Sequence, residues 1–242
     1  EQTLSGHDAS ISAIAFRPGG ETFASGSQDG TVRVWSRTLR EPLAVLPGLR
    51  GTTAVAFSPD GACLAVAPRG TGGVELWDAR SVERLHRFPG PGGDVSQVAF
   101  SPDGALLAAA SGHSAKTGEV RVWCVETGQL VATLGGFLRG TVSMSFSPDG
   151  SRLLTTCGDE RVTVWDPRNG RRCMAASAGR DLRGAGTRAV FGLDGSRIAY
   201  SDNTLLDAAT GEAVVRLFPQ GLVTCLAASP DGRTLSTGVA FG

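Results

Sequence analysis

The stretch Ala56-Phe57-Ser58-Pro59-Asp60-Gly61 decides the fold, because it recurs along the chain. Related hexapeptides stand at 15–20 (AFRPGG), 99–104 (AFSPDG), 145–150 (SFSPDG), 190–195 (VFGLDG) and 227–232 (AASPDG). From Phe16 through Phe57, Phe100, Phe146 and Phe191 to Ala228, the steps are 41, 43, 46, 45 and 37 residues. Ser-Pro-Asp-Gly is a tight-turn sequence. Pro presets φ at the first central position, the Asp side chain bonds back to the backbone, and Gly accepts a positive φ. A fixed period of this length marks a repeat architecture.

A second series advances in step with the first: RVWS, ELWD, RVWC, TVWD and LLDA, carrying Trp35, Trp77, Trp123, Trp165 and then Leu206. Apolar alternation at Ile11–Phe16, Val55–Phe57 and Val120–Trp123 reads as strands. Ser-Pro-Asp-Gly joins the first two strands of each unit. A turn such as Gln28-Asp29-Gly30 joins the next pair, and one such as Thr127-Gly128 leads to the outermost strand. Four short antiparallel strands per repeat of about 43 residues is the period of a propeller blade.

The chain resembles the WD-repeat family of β-propellers over nearly its whole length. The first repeat carries the family's hydrogen-bond set: Gly6-His7 stands 22 residues before Asp29, Ser25 four before it and Trp35 six after it. The resemblance implies that Asp29 bonds His7, His7 bonds Ser25, and Ser25 bonds the Trp35 indole. A half-buried turn needs its donors and acceptors satisfied internally. The fourth repeat keeps a partial set, Thr155, Asp159 and Trp165, with Phe137 at the His position. The second has Leu49 there and a Gly-rich turn, Gly70–Gly73, without Asp; the fifth has Leu206 for Trp. These departures predict apolar packing in place of the polar set, and less rigid blades than the first.

The expected fold is all-β, a single propeller domain of four-stranded antiparallel blades over 1–242. The blades are placed at about 5–47, 48–91, 92–135, 136–178 and 179–219, with a partial sixth at 220–242. EQTL (1–4) reads as an outer strand, and TLSTGVAFG closes two strands of the sixth blade. A ring would need more, so the domain is expected to be part of a larger one. The third repeat is about four residues longer between its second and third strands, in SGHSAKTGE (111–119). In the family such loops lie on the narrow top face, where partners dock.

Composition narrows the function. Lys+Arg and Asp+Glu are 23 each, so the chain has no net charge and lacks the basic excess of a dedicated nucleic-acid binder. Apolar residues, at 41%, suffice for a core, but no run is long enough to span a membrane. The N-terminus shows no basic-then-apolar signal pattern. Five cysteines without a C-x-x-C pair fit reduced thiols in an intracellular, cytoplasmic setting, and their strand positions suggest small core residues.

Chemistry-bearing residues are few. Of three histidines, His7 belongs to the Gly-His motif, His86 lies on an outer strand, and His113 sits in the long loop of the third repeat. No His or Cys pair has metal-ligand spacing, so no metal or cofactor is expected. RGTGGVELW (69–77) lacks the Lys-Ser/Thr ending of a phosphate-binding loop. The Asp-Gly turns lack the alternating acids of a calcium loop. Six Arg against two Asp between Asp166 and Arg188 form the densest basic run. Arg50, Arg69, Arg139, Arg180 and Arg183 fall in or near blade-entry loops, and His113 and Lys116 in the long loop. Together they are the candidate partner-binding set, able to hold carboxylate or phosphate.

The resemblance therefore implies a non-catalytic scaffold for protein–protein interaction and complex assembly through blade-top loops. Two rival functions remain: a binder of an acidic polymer, associated with microtubules or RNA, or a regulatory domain fused to an enzyme outside this chain. Few free aromatics for base stacking count against RNA.

Overall fold

The computed structural model describes residues 3–111, 118–137, 141–157, 161–177, 189–192, 194–200, 204–216, 222–228 and 235–240. At 141–142, 177, 216, 222–228 and 235–240 it describes the backbone alone. The described residues form strands and turns only, in five four-stranded antiparallel sheets and one two-stranded sheet.

The first sheet has β1 (Ile11–Phe16), β2 (Thr22–Ser27), β3 (Val32–Ser36) and β4 (Ala44–Leu46), paired in chain order. The second has β5 (Thr52–Phe57), β6 (Cys63–Pro68), β7 (Val74–Asp78) and β8 (Arg84–Phe88). The third has β9 (Val95–Phe100), β10 (Leu106–Ser111), β11 (Gly118–Cys124) and β12 (Leu130–Phe137). The fourth has β13 (Thr141–Phe146), β14 (Leu153–Cys157), β15 (Arg161–Trp165) and β16 (Arg172–Ser177). The fifth has β17 (Ala189–Phe191), β18 (Arg197–Tyr200), β19 (Thr204–Asp207) and β20 (Ala213–Arg216). β21 (Leu222–Ala228) pairs with β22 (Leu235–Ala240). Thr3 and Leu4 lie in no strand, so the outer strand expected at 1–4 is not seen there.

Ser58–Gly61, Ser101–Gly104 and Ser147–Gly150 each form the turn between the first two strands of their sheet. In the second sheet Ser58 Oγ donates to Asp60 Oδ1 at 2.5 Å, and Ala62 N–H donates to the same oxygen at 2.9 Å. Cys63 N–H donates to Ser58 Oγ at 2.9 Å, and Gly61 takes φ 70°. Ser101/Asp103 and Ser147/Asp149 repeat the arrangement. A bulge opens the first hairpin of the first three sheets. There the residues passed over by the ladder are Ser12, Thr53 and Ser96. Each turns its hydroxyl onto a carbonyl of the second strand: Gly26 at 3.2 Å, Ala67 at 3.0 Å and Ala110 at 3.2 Å. Hydrogen bonds that the irregular ladder would leave unmade are thereby supplied by side chains.

The chain divides into two compact units, Glu1–Ser111 with Val120–Leu130, and Gly112–Glu119 with Val131–Gly242. Within the first, Ala24, Val32, Val34 and Leu46 of the first sheet are buried against Val55, Phe57, Leu64 and Val66 of the second. Ala65, Ala67, Val74, Leu76 and Phe88 of the second are buried in turn with Val98, Leu107, Ala109 and Trp123 of the third. Within the second unit, Leu154, Val162, Val164 and Met174 pack on Phe191, Ile198, Tyr200 and Leu206. Period-2 alternation supplies both faces of a sheet from one strand sequence.

Candidate functional site

The one cluster of His, Asp and Ser among the described residues is built by the first sheet. His7 lies ahead of β1, Ser25 on β2, Asp29 in the turn after it and Trp35 on β3. Trp35 Nε1 donates to Ser25 Oγ at 2.7 Å. Ser25 Oγ lies 2.7 Å from His7 Nε2, and His7 Nδ1 lies 2.7 Å from Asp29 Oδ2. The carboxylate fixes the directions: Asp29 only accepts, so Nδ1–H goes to it, and the Nε2 of the neutral imidazole is left to accept the Ser25 proton while Ser25 Oγ accepts from Trp35. Thr31 Oγ1–H and N–H add two bonds to Asp29 Oδ1 at 2.7 and 2.8 Å, and Asp8 N–H adds one to Oδ2 at 3.1 Å. Burial pushes the Asp29 carboxyl up, but the bonds from Thr31, His7 and Asp8 outweigh it and hold it far below the usual range.

This order of groups is that of a Ser–His–Asp triad, yet its position denies it that chemistry. Ser25 is 2% exposed, and its oxygen already accepts from Trp35. A nucleophile needs room for a carbonyl beside it. The array holds the turn, the loop and the strand together instead.

The register locates the same seat in every sheet. Ser25 pairs with Ile14, and its counterparts are Val66 opposite Val55, Ala109 opposite Val98, Thr155 opposite Met144 and Tyr200 opposite Ala189. In the fourth sheet Trp165 Nε1 donates to Thr155 Oγ1 at 2.8 Å, and Phe137, 3% exposed, stands edge-on to Trp165. In the second and third sheets Val66 and Ala109 offer no oxygen. There Trp77 Nε1 and Trp123 Nε1 are buried without a hydrogen-bond partner. Leu49 fills its position by packing, 7% exposed, in the cluster of Val55 and Phe57.

The expected docking residues are only partly brought together. Arg50 is exposed in the loop before β5, and Arg69 N–H donates to the Gly51 carbonyl at 2.9 Å, so these two loops adjoin. Arg69 Nε lies 3.9 Å from Asp94 Oδ2, with both side chains largely in solvent. Asp94 Oδ1 also accepts from Gly70 N–H at 2.7 Å. An acid from the entry to the third sheet thus serves the turn that lacks its own Asp, and it offsets part of the Arg69 charge. Asp159, His113, Lys116, Arg139, Arg180 and Arg183 lie outside the described residues.

Among the described residues no group of three or more His, Cys, Asp or Glu could hold a metal. Cys157 is buried and Cys63 and Cys124 half-buried, but Cys173 is exposed, contrary to the core reading, because it lies on the outermost strand of its sheet. Cys124 occupies the place of Asp78 and Asp166, where Thr127 bonds it by hydroxyl and N–H and draws the thiol below its ordinary pKa.

The family described as WD domain, G-beta repeat matches residues 1–36, 82–124 and 128–166. This chain belongs to the WD-repeat family. The five four-stranded sheets are its blades, and the stretch 37–81, which the match leaves out, contains the second blade's Leu49 and Gly70–Gly73 departures. The nuclear distribution protein PAC1 of Arthroderma otae is 32% identical over 170 residues, which are 67% of this chain and 37% of that protein. The periodic tryptophan protein 2 homolog of Dictyostelium discoideum is 29% identical over 163 residues, 66% of this chain and 18% of the relative. The B-type cell cycle switch protein ccs52B of Medicago truncatula is 26% identical over 166 residues, 67% of this chain and 34% of the relative. The matched part of the WD-repeat chain thus spans little more than a third of these proteins at most.

Proposed function

We propose that this chain is a non-catalytic WD-repeat scaffold that assembles proteins through its blade-top loops. The observation that carries the reading is the fate of its polar chemistry. The His7–Asp29–Ser25 array is consumed inside the first blade, where Trp35 occupies the serine oxygen. What remains for a partner is the surface of a rigid frame and its loops, which is where function sits on such folds. The names of the relatives, a nuclear distribution protein and a cell cycle switch protein, are in keeping with regulatory work on other proteins. The free thiols of Cys63, Cys124 and Cys173 suit an intracellular, cytoplasmic setting. The partial pairing of Arg69 with Asp94 weighs against an acidic-polymer binder, which would want that charge free.

The test is capture of partners from a native lysate, read by mass spectrometry at low and moderate salt. Wild type runs beside a variant with Arg50, Arg69, Arg180 and Arg183 changed to Glu. A defined protein set lost in the variant supports docking through these loops. A set untouched by the four changes overturns the loop assignment. Capture dominated by nucleic acid or tubulin, lost steeply with salt, overturns the protein-scaffold reading.

A further inference from the structure

The turn before the outer strand of the second blade departs from its counterparts. Gly128, Gly170 and Gly211 stand in this turn in the third, fourth and fifth blades, at φ 69°, 72° and 76°. Each donates its N–H to the carbonyl four residues back, at 2.9, 2.9 and 2.8 Å. Val82 makes the same bond to the Asp78 carbonyl at 3.1 Å, with φ 60°. Among the described residues it alone has a positive φ without being glycine. A β-branched side chain is strained in that region, and its surroundings have to hold it there. Val82, half-buried, packs on the cluster between the first two blades.

Trp77 packs on the same cluster and departs as well. It is half-buried, whereas Trp35, Trp123 and Trp165 are 9% exposed or less. The Trp123 ring lies 5.5 Å from that of Phe88. Leu46 holds the register place of Phe88 on the outer strand of the first blade, and it has no ring to lay on Trp77. Arg84 stands directly opposite Trp77 in the β7–β8 ladder. Its Nη1 lies 3.3 Å from Oε1 of Glu75, whose side chain is 9% exposed, while the Arg84 side chain is 54% exposed. The buried acid fixes one end of the guanidinium and leaves its other donors to a partner. Arg87, opposite Glu75, is exposed and forms no ion pair with a described residue. β8 closes its sheet, so one side of its backbone has no neighbouring strand within the sheet. From Arg84 to Arg87 all four of its residues are exposed, and none is acidic. Charge on an edge strand also keeps stray strands away. That duty calls for neither a half-open indole nor a strained valine beside it.

We infer that the rim formed by Trp77, Val82, Arg84 and Arg87 docks an acidic, extended peptide of a partner protein. The peptide lies along β8, with one large apolar side chain over Trp77 and Val82 and carboxylates on the two arginines. An edge strand accepts an extended chain through main-chain hydrogen bonds, and the side chains beside it set the sequence preference. A carboxylate matches the planar fork of a guanidinium. This rim lies apart from the loops proposed above, since Arg50 precedes β5 and Arg69 follows β6. It is a second docking face of the scaffold, and stands whether or not those loops bind.

The experiment uses the whole polypeptide and a fluorescein-labelled peptide of alternating glutamate and valine with one central leucine, followed by anisotropy. Binding by wild type that falls about tenfold in the double variant Arg84→Gln, Arg87→Gln and about fivefold in Val82→Gly supports the rim. Val82→Gly keeps a turn that other blades make with glycine, so its loss reports the side chain rather than the fold. Arg87→Gln alone, which leaves Glu75 paired, serves if the double variant fails to fold. No binding at millimolar peptide overturns the inference, as does equal binding of the peptide with lysine in place of glutamate, or an affinity that all these variants keep. A thymidine oligonucleotide bound more tightly than the peptide, and lost in the arginine variants, assigns the rim to nucleic acid and overturns it too. The variant Arg50→Glu, Arg69→Glu should bind the peptide as wild type does. A loss there moves the peptide to the loops and overturns the rim, whereas lysate partners lost in that variant with peptide binding intact keep the two faces distinct.

Discussion

Phe137 stands edge-on to Trp165, with ring centroids 5.7 Å apart and planes inclined at 67°. His7 meets Trp35 at 6.2 Å and 66°. The ring position therefore survives the loss of both imidazole nitrogens. Packing holds the ring, and the hydrogen bonds to Asp29 and Ser25 are added to it. In His7→Phe the volume stays and the bonds go. The cost should be about 1–3 kcal/mol, that of leaving buried polar groups unpaired. His7→Ala should cost more, because it also opens a cavity. Urea unfolding of the three proteins measures the difference. Equal losses for Phe and Ala would show that the ring itself contributes nothing.

The indole seats give a pair of predictions with opposite signs. Thr155 accepts from Trp165 and also donates to the Thr163 carbonyl at 3.4 Å, so its hydroxyl is used on both sides. Thr155→Val leaves the Trp165 donor buried and alone, and should destabilise by about 1–2 kcal/mol. Trp77 already stands in that condition, with Val66 in the acceptor's place. Val66→Thr changes shape little and offers an oxygen, and should stabilise by about 1 kcal/mol. Chemical-denaturation midpoints decide both. A Val66→Thr protein less stable than wild type would mean that its hydroxyl finds no partner in the second blade.

How far the sequence speaks can be seen at these same seats. The recurrent turn and the 22-residue step from His7 to Asp29 point to both the blades and the polar array, because local chemistry dictates each. The bulge hydroxyls of Ser12, Thr53 and Ser96 carry no such mark, since serine and threonine are common and nothing in the spacing singles them out. Asp94 serving Gly70 is a contact between neighbouring blades, invisible along one strand. Ile14 and Val55 hold equivalent positions, and only the neighbouring sheet separates an exposed residue from a buried one. Cys173 teaches the same lesson in reverse: its strand position suggests a core residue, but the strand is an outermost one.

Acid should weaken the fold through its turn aspartates. Hydrogen bonds from Ser147 and Ser151 hold the Asp149 carboxyl down to about 2, and Asp29 is held far below its usual range although burial opposes it. An unfolded Asp titrates near about 4. Both groups therefore bind fewer protons folded than unfolded. Their stabilisation is complete above about pH 5 and is lost as the pH falls through about 4 toward the folded values. Melting temperature should accordingly be level with respect to these groups near neutrality and drop below about pH 4. Asp29→Asn should be less stable at neutral pH and show a shallower acid limb. An acid limb as steep as that of wild type would remove Asp29 from the account.

Asp94 offers the sharpest local test, because it joins two loops without being buried. Its Oδ1 accepts from Gly70 N–H at 2.7 Å, while its Oδ2 lies 3.9 Å from Arg69 Nε. The ion pair is exposed, and such pairs contribute roughly 0–1 kcal/mol. Asp94→Ala should therefore leave the melting temperature nearly unchanged. Its effect should be local: the Gly70 amide loses its acceptor and exchanges about tenfold faster, while amides of β6 and β7 keep their protection. Asp94→Asn retains an acceptor oxygen and should restore most of the protection, although it cannot pair with Arg69. Exchange followed by mass spectrometry separates the two variants. If the Asn variant exchanges as fast as the Ala variant, the charge rather than the hydrogen bond orders the Gly70 turn.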